Sequence, residues 1–274
     1  ASDKDFSELI EKFSTSAKLA QEYGFDGVEI HAAHGYLLSS SLSPRINNRK
    51  DKWGGSFENR ARLLQLILQK VRESVGNNFI LAVKINSSDF QKGGLEISDS
   101  VKIANLIEKE NIDFIEVSGG NFEAPEAYQY VSLKESTKSR EAYFLDAAKN
   151  IKASVSIPIM VTGGFRSISV MEDALTSSST DLIGIGRPFV IDPSFPYKLL
   201  NGDISVLPAV ERNFPPAQDI PKGAVLNWFC DQLALQGKTG KGDINIPLID
   251  GHERYIKQSD EATHSLISFR NDSK

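Results

Sequence analysis

Along most of the chain, short β-branched runs alternate with longer stretches whose apolar residues recur every three or four positions, the two periods of a strand and an amphipathic helix. Five runs read as strands: Gly27–His31, Phe79–Ile85, Asp113–Val117, Ile157–Thr162 and Asp181–Gly186. Between them the longer period predicts helices over 5–23, 57–75, 97–109, 140–153 and 167–177. The first of these carries Phe6, Leu9, Ile10, Phe13, Ala17 and Ala20 as its apolar positions. Stops such as Tyr23-Gly24-Phe25-Asp26 and Val75-Gly76-Asn77-Asn78 divide helix from strand, with Gly free to take the left-handed conformation that ends a helix. Strict alternation of this kind is the signature of parallel βαβ units, and it persists to about residue 190.

Beyond that point Pro193, Pro196, Pro208, Pro215, Pro216, Pro221 and Pro247 interrupt any regular period. One helix is expected, over 223–236, and 258–274 is polar enough to read as disordered. The expected organisation is therefore an α/β body over 1–200 and a tail over 201–274 that packs on it.

Composition narrows the classes. The chain has 274 residues, 31 Lys and Arg against 36 Asp and Glu, and a net charge of −5, with no dense basic cluster of the kind that nucleic acid requires. A single Cys forms neither an internal disulfide nor a cysteine-based metal cluster, which suits a reducing, cytoplasmic setting. In its setting Trp228-Phe229-Cys230 the thiol reads as a small core residue. No apolar run approaches the ~18 residues that mark a membrane span, and no charged-then-apolar leader opens the chain. The chain starts at Ala1 rather than Met, so its first residue is not taken as the start of the gene.

Candidate chemistry gathers at the C-terminal ends of the strands, where barrel enzymes carry their active sites. Glu29-Ile30-His31-Ala32-Ala33-His34-Gly35-Tyr36 follows the first strand and places two imidazoles and a phenol within six residues. They suit donation to an anionic heteroatom and delivery of a proton. They equally suit capping of a loop, and a zinc site lacks a third ligand at suitable spacing. The stretch Leu42–Arg60 is a long polar loop with Ser56 as an N-cap, read either as functional or as a web of Arg45, Arg49, Asp51 and Arg60 that holds the loop. Thr162-Gly163-Gly164-Phe165-Arg166 and Gly184-Ile185-Gly186-Arg187-Pro188 end the last two strands. Each alone suits a tight turn, and the pair favours phosphate. Lys84 lies inside an apolar strand, so an anionic partner is expected, a barrel-rim lysine that snorkels being the plainer reading.

Over roughly residues 13–200 these motifs resemble the Old Yellow Enzyme family of FMN-dependent NAD(P)H:flavin oxidoreductases. The most specific pieces run from Gly24 through His31, His34 and Tyr36 to Leu37, and from Leu42-Ser43-Pro44 through Asn47, Arg49, Asp51 and Gly54-Gly55-Ser56 to Asn59-Arg60. The resemblance implies a (β/α)₈ barrel with FMN at its C-terminal mouth and NAD(P)H as reductant. It implies that His31 and His34 hydrogen-bond the oxygen of an α,β-unsaturated substrate and that Tyr36 donates the proton. It further implies that Lys84 contacts the flavin N1/C2 edge and that Gly163, Gly164, Gly186 and Arg187 hold the FMN phosphate. No metal is implied, and no cysteine cluster for an iron–sulfur centre is present. Where the family carries a bulkier, often amide-bearing stretch, this chain has Ser39-Ser40-Ser41.

By the same resemblance the five strands are the fourth to eighth of eight, and the first three βα units have no counterpart. An incomplete barrel leaves two sheet edges open to pairing, which leaves homo-oligomers open as well. The expected function is reduction of an electron-poor C=C bond. Two alternatives stand beside it: a non-catalytic or inactive fragment of the same family, and a phosphate-ligand barrel lyase or isomerase that uses Lys84.

Overall fold

The computed structural model of the chain describes residues 1–121 and 141–272. Its residues fall into two compact units. Of the described residues, one holds 1–121, 141–165 and 170–184; the other holds 166–169 and 185–272.

The first unit is a parallel sheet under a helical layer. Its elements are α1 (Asp3–Glu22), β1 (Gly27–Ala32), α2 (Leu37–Leu42), α3 (Phe57–Val75), β2 (Ile80–Asn86), α4 (Ile97–Glu108), β3 (Phe114–Ser118), α5 (Leu145–Lys152), β4 (Ile159–Thr162), α6 (Ile168–Thr176) and β5 (Leu182–Gly184). The first two residues of α6 fall in the second unit. The five predicted strands are present within two residues at each end. The order is β1-β2-β3-β4-β5, parallel throughout. Because the order never reverses, the sheet has no switch point of the doubly wound type and winds as an arc of a (β/α)₈ barrel. Of the predicted helix over 140–153, residue 140 lies outside the described residues, and the helix is formed over Leu145–Lys152.

Period-2 alternation sorts the strands into two faces. Ile30, Ala32, Leu81, Val83, Ile85, Ile115, Val117, Ile159 and Val161 are buried, and α3 contributes Leu64, Ile67, Leu68, Val71 and Val75 at helical spacing. The opposite face bears Glu29, His31, Lys84, Asn86, Glu116, Ser118 and Thr162. Register aligns His31, Lys84, Glu116, Met160 and Leu182 on one rung across all five strands.

The N-terminal ends of the strands are pinned by a recurring device. Asp113, one residue before β3, accepts the Leu81 N–H of β2 at 2.7 Å and pairs with Arg72 of α3 at 2.7 Å. Asp181, one residue before β5, accepts the Ile159 N–H of β4 at 2.8 Å and pairs with Lys152 of α5 at 2.5 Å.

The second unit contains α7 (Arg187–Ile191), α8 (Phe195–Leu200), two short 3-10 turns (Val210–Asn213 and Ala217–Asp219), α9 (Ala224–Thr239) and α10 (Leu248–Asp272). Its core is Ala224, Val225, Trp228, Phe229 and Leu248, with Val190, Ile191, Val210, Phe214 and Ile220 against it. Two expectations are corrected here. Residues 258–272 are helical rather than disordered, continuing a helix whose start is anchored by Leu248, by Asn227 bonded to His252 at 3.0 Å and by an Arg254–Asp231 pair. Cys230 is only partly buried, so it is not a core residue. Among the described residues no helix is long and apolar enough to cross a membrane.

Candidate active site

The end of β1 leads through a forced turn. His34 has φ 66° and Gly35 φ 75°, two consecutive left-handed residues. For a non-glycine residue that conformation is costly and persists only where its surroundings fix it. Asn86, at the end of β2, does so by accepting the His34 N–H at 3.0 Å while its amide donates to Asp89 at 2.9 Å and to the Gly120 carbonyl at 3.0 Å.

The turn draws the three candidate side chains together. The His31 ring lies 5.1 Å from that of His34 and 5.0 Å from that of Tyr36, centroid to centroid. His34 Nε2 sits 2.8 Å from Ser118 Oγ at the end of β3. His31 Nδ1 is buried with no hydrogen-bond partner among the described residues. Tyr36 is 46% exposed. The Ser39–Ser41 departure proves structural: Ser39 accepts the Gly35 N–H at 3.1 Å, Ser40 donates to the Gly35 carbonyl at 2.9 Å, and Ser41 donates to the Arg60 carbonyl at 3.1 Å. The Ser39 and Ser40 hydroxyls tie α2 to the turn that carries the histidines, and that of Ser41 ties it to α3.

Lys84 finds the anionic partner its position called for: Glu116 of β3, 2.6 Å away and nearly fully buried. Burial opposes ionisation of Glu116. A hydrogen bond with Glu29 and the Lys84 ammonium outweigh it, so the carboxyl is held below its ordinary range. Glu29 moves the other way, pushed up to about 8 by lost hydration and by the Glu116 carboxyl. His34 is brought down to about 4, chiefly by burial and then by His31 and Lys84. His31 is lowered by burial and by Lys84. Near neutral pH both imidazoles are uncharged and each offers one N–H donor.

A pH dependence follows with a definite sign. Between the ordinary histidine value of 6.5 and about 4, the unfolded chain binds a proton at His34 that the folded chain refuses. This contribution to stability is full above that window, falls as pH drops through it, and is flat below. Urea unfolding at stepped pH, with the His34 ring proton followed by NMR, checks it; a ring titrating near 6.5 would contradict it.

The long loop is a scaffold rather than a reactive element. Arg49 pairs with Asp51 at 2.5 Å. Asn47 donates to the Ser41 and Trp53 carbonyls at 2.7 and 2.8 Å. Buried Arg60 donates to the Leu42 carbonyl at 2.8 Å and to that of Gly55 at 2.6 Å. Trp53 donates to Asp3 at 2.6 Å and stacks near Phe6 at 4.3 Å. Of the web of Arg45, Arg49, Asp51 and Arg60 that the sequence offered, Arg49 and Asp51 form an ion pair, whereas Arg60 is buried and holds the loop through backbone carbonyls.

The glycine turns differ from one another. At Gly163 and Gly164 a Cβ would lie 2.7 Å from the Phe144 ring and 2.5 Å from the Tyr143 ring, so glycine is needed there for close aromatic packing. In the second unit, a Cβ on Gly186 would meet open space. Arg187 starts a helix of only five residues. Arg187 and Arg166 both reach Glu211, at 3.3 and 2.6 Å.

Sequence reasoning singled out His31, His34, Tyr36 and Lys84 but missed Asn86, Ser118, Glu116 and Glu211. Period-2 spacing from Lys84 to Asn86 was the available signal for Asn86. Glu116 and Ser118 needed the register, and nothing local marked Glu211. No group of three metal-ligating side chains occurs among the described residues.

A parallel sheet in barrel order, with polar groups crowded at its C-terminal ends, defines a barrel-type enzyme scaffold. The profile of the NADH:flavin oxidoreductase / NADH oxidase family matches residues 1–203, and the chain belongs to that family. It is 39% identical over 201 residues to an NADH-dependent flavin oxidoreductase of Neonectria sp., covering 70% of this chain and 26% of that protein. Across the first curated relatives it matches, the chain spans 26% to 48% of their length. Among solved structures, a 2-naphthoyl-CoA reductase in complex with 2-naphthoyl-CoA aligns with a TM-score of 0.69 at 32% identity, over 75% of this chain and 31% of that one. The old yellow enzyme homologue from Zymomonas mobilis shares the fold, with a TM-score of 0.61 at 23% identity over 81% of this chain and 59% of that one.

Proposed function

We propose that this chain carries the substrate-polarising and proton-donating part of an FMN-dependent oxidoreductase that uses NAD(P)H to reduce the C=C bond of an α,β-unsaturated carbonyl compound. The observation that carries the reading is the convergence of His31, His34 and Tyr36 beside the Lys84–Glu116 pair. The donor set also fits the cofactor. The buried His31 Nδ1 and Ser87 Oγ lack hydrogen-bond partners among the described residues. The Lys84 ammonium has three N–H groups, of which Glu116 needs one. Lys84 would hold FMN at its N1/C2 edge, and Gly163, Gly164, Gly186 and Arg187 are assigned to its phosphate by the resemblance. When bound, FMN supplies hydride taken from NAD(P)H.

His31 and His34, as neutral donors, would hydrogen-bond the substrate carbonyl oxygen and strengthen those bonds as negative charge develops on it. Tyr36 would deliver its phenolic proton to the carbon that does not receive hydride. Glu116 keeps the Lys84 charge in place. An ammonium held in an ion pair has no lone pair for attack on a carbonyl, which counts against the lyase or isomerase alternative.

Titration of FMN into the 274-residue chain, followed by anaerobic addition of NADH or NADPH, tests the reading. Micromolar or tighter binding and bleaching of the flavin band are expected. A chain that remains colourless at saturating FMN would favour the non-catalytic alternative.

A further inference from the structure

Asn86 is the last residue of β2, two places beyond Lys84 and therefore on the same face of the sheet. Its side chain is 2% exposed and hydrogen-bonded at both ends. Oδ1 accepts the His34 N–H at 3.0 Å, while Nδ2 donates to Asp89 Oδ1 at 2.9 Å and to the Gly120 carbonyl at 3.0 Å. Asp89 is fixed in turn, its Oδ2 accepting from the Ser43 hydroxyl at 2.8 Å and from the Leu95 N–H at 2.9 Å. One amide thus joins the turn after β1, the end of β2, the loop after β3 and, through Asp89, the C-terminal end of α2, all within the first unit.

An amide has one acceptor end and one donor end, so its partners decide which way it faces. Turned over, Asn86 would set its NH2 against the His34 N–H and its oxygen against the Asp89 carboxylate and the Gly120 carbonyl. Aspartate has the same shape but keeps only the bond to His34. That bond fastens a residue at φ 66°, a conformation costly for histidine that its surroundings have to hold. We propose that Asn86 is a positioning residue for the substrate-polarising pair: its amide, aimed by Asp89 and Gly120, holds the His34 backbone in the turn that sets the His34 ring beside that of His31. This rests on the reading that the two rings hydrogen-bond the substrate oxygen. It adds the requirement for an amide at position 86, where neither an acid nor an apolar side chain serves.

The test compares Asn86→Ala and Asn86→Asp with the wild-type chain, first without FMN and then loaded with it. In the Ala variant, hydrogen exchange of the His34 amide is expected to quicken at least about tenfold, the scale of one buried hydrogen bond lost. Oxidation of the reduced flavin by cyclohexenone is expected to slow by a similar factor relative to flavin reduction by NAD(P)H. In the Asp variant the two facing carboxyls share one proton at low pH. Both effects, read against wild type at the same pH, are therefore expected to be small there and to grow as pH rises, a profile that lost packing alone does not produce. Where neither variant folds, the wild-type chain decides: a scalar coupling across the hydrogen bond, from the His34 amide nitrogen to the Asn86 side-chain carbonyl carbon, is expected. Unchanged His34 exchange in the Ala variant, a pH-independent Asp variant, equal slowing of both half-reactions or absence of the coupling would each overturn the inference while leaving the roles of His31 and His34 standing. Failure of the wild-type chain to bind FMN would overturn the two together.

Discussion

Replacing Tyr36 by Phe is expected to slow substrate reduction by ~10²–10⁴-fold, the usual contribution of a positioned general acid, while leaving reduction of bound flavin by NAD(P)H unchanged. The phenol stands at the start of α2, 46% exposed, with its ring 5.0 Å from His31. Removing one oxygen alters neither the ring packing nor the Ser39 and Ser40 contacts that hold the turn. The two half-reactions separate under stopped flow. If the oxidative half-reaction of the Phe variant kept wild-type speed, Tyr36 would lose its role, and His31 or solvent would have to supply the proton.

The largest effect on stability is expected at Trp228, fully buried on α9. Trp228→Ala removes edge-on contacts with Phe214 and Phe229 at 5.1 Å each and the indole donor to the Ile246 carbonyl at 2.9 Å. The cavity cannot close readily, because Gly251 already lets α10 approach so near that a Cβ there would lie 2.6 Å from the indole. A loss of about 3–5 kcal/mol follows for truncation of a buried aromatic, read as a lower urea midpoint. A midpoint within about 1 kcal/mol of wild type would mean that the second unit repacks around the gap.

The elements most legible in the sequence are those with local punctuation. The helix over 57–75 is found as predicted because Ser56 caps it, accepting the Asn59 N–H, and Gly76 ends it with a positive φ. The short helix Leu37–Leu42 was hidden because three consecutive serines carry no apolar period. The long helix to Asp272 was hidden because, past its anchored first turns, it is exposed and polar on nearly every face. In the site, residues close in sequence were visible as a group: His31, His34 and Tyr36 share one turn. Their partners were not, since Ser118 and Glu116 reach them only through the pairing of β3 with β2. Lys84 shows both sides of this. Its need for an anion was readable from a charge in an apolar strand, whereas the identity of that anion depended on register.

The paired aspartates before β3 and β5 set that register from the far end of the strands. A slip of one residue would turn His31, Lys84 and Glu116 toward the helices and Ile30, Val83 and Val117 toward the site. Asp113 and Asp181 each latch a strand to its predecessor and to the helix before that predecessor, so the β2–β3 and β4–β5 pairs each carry an alignment key. Placing those keys at one end frees the other. The loops bearing His34, Tyr36 and Ser118 can change their chemistry without resetting the sheet, a division of labour that lets one scaffold be retuned for new substrates while its folding instructions stay untouched.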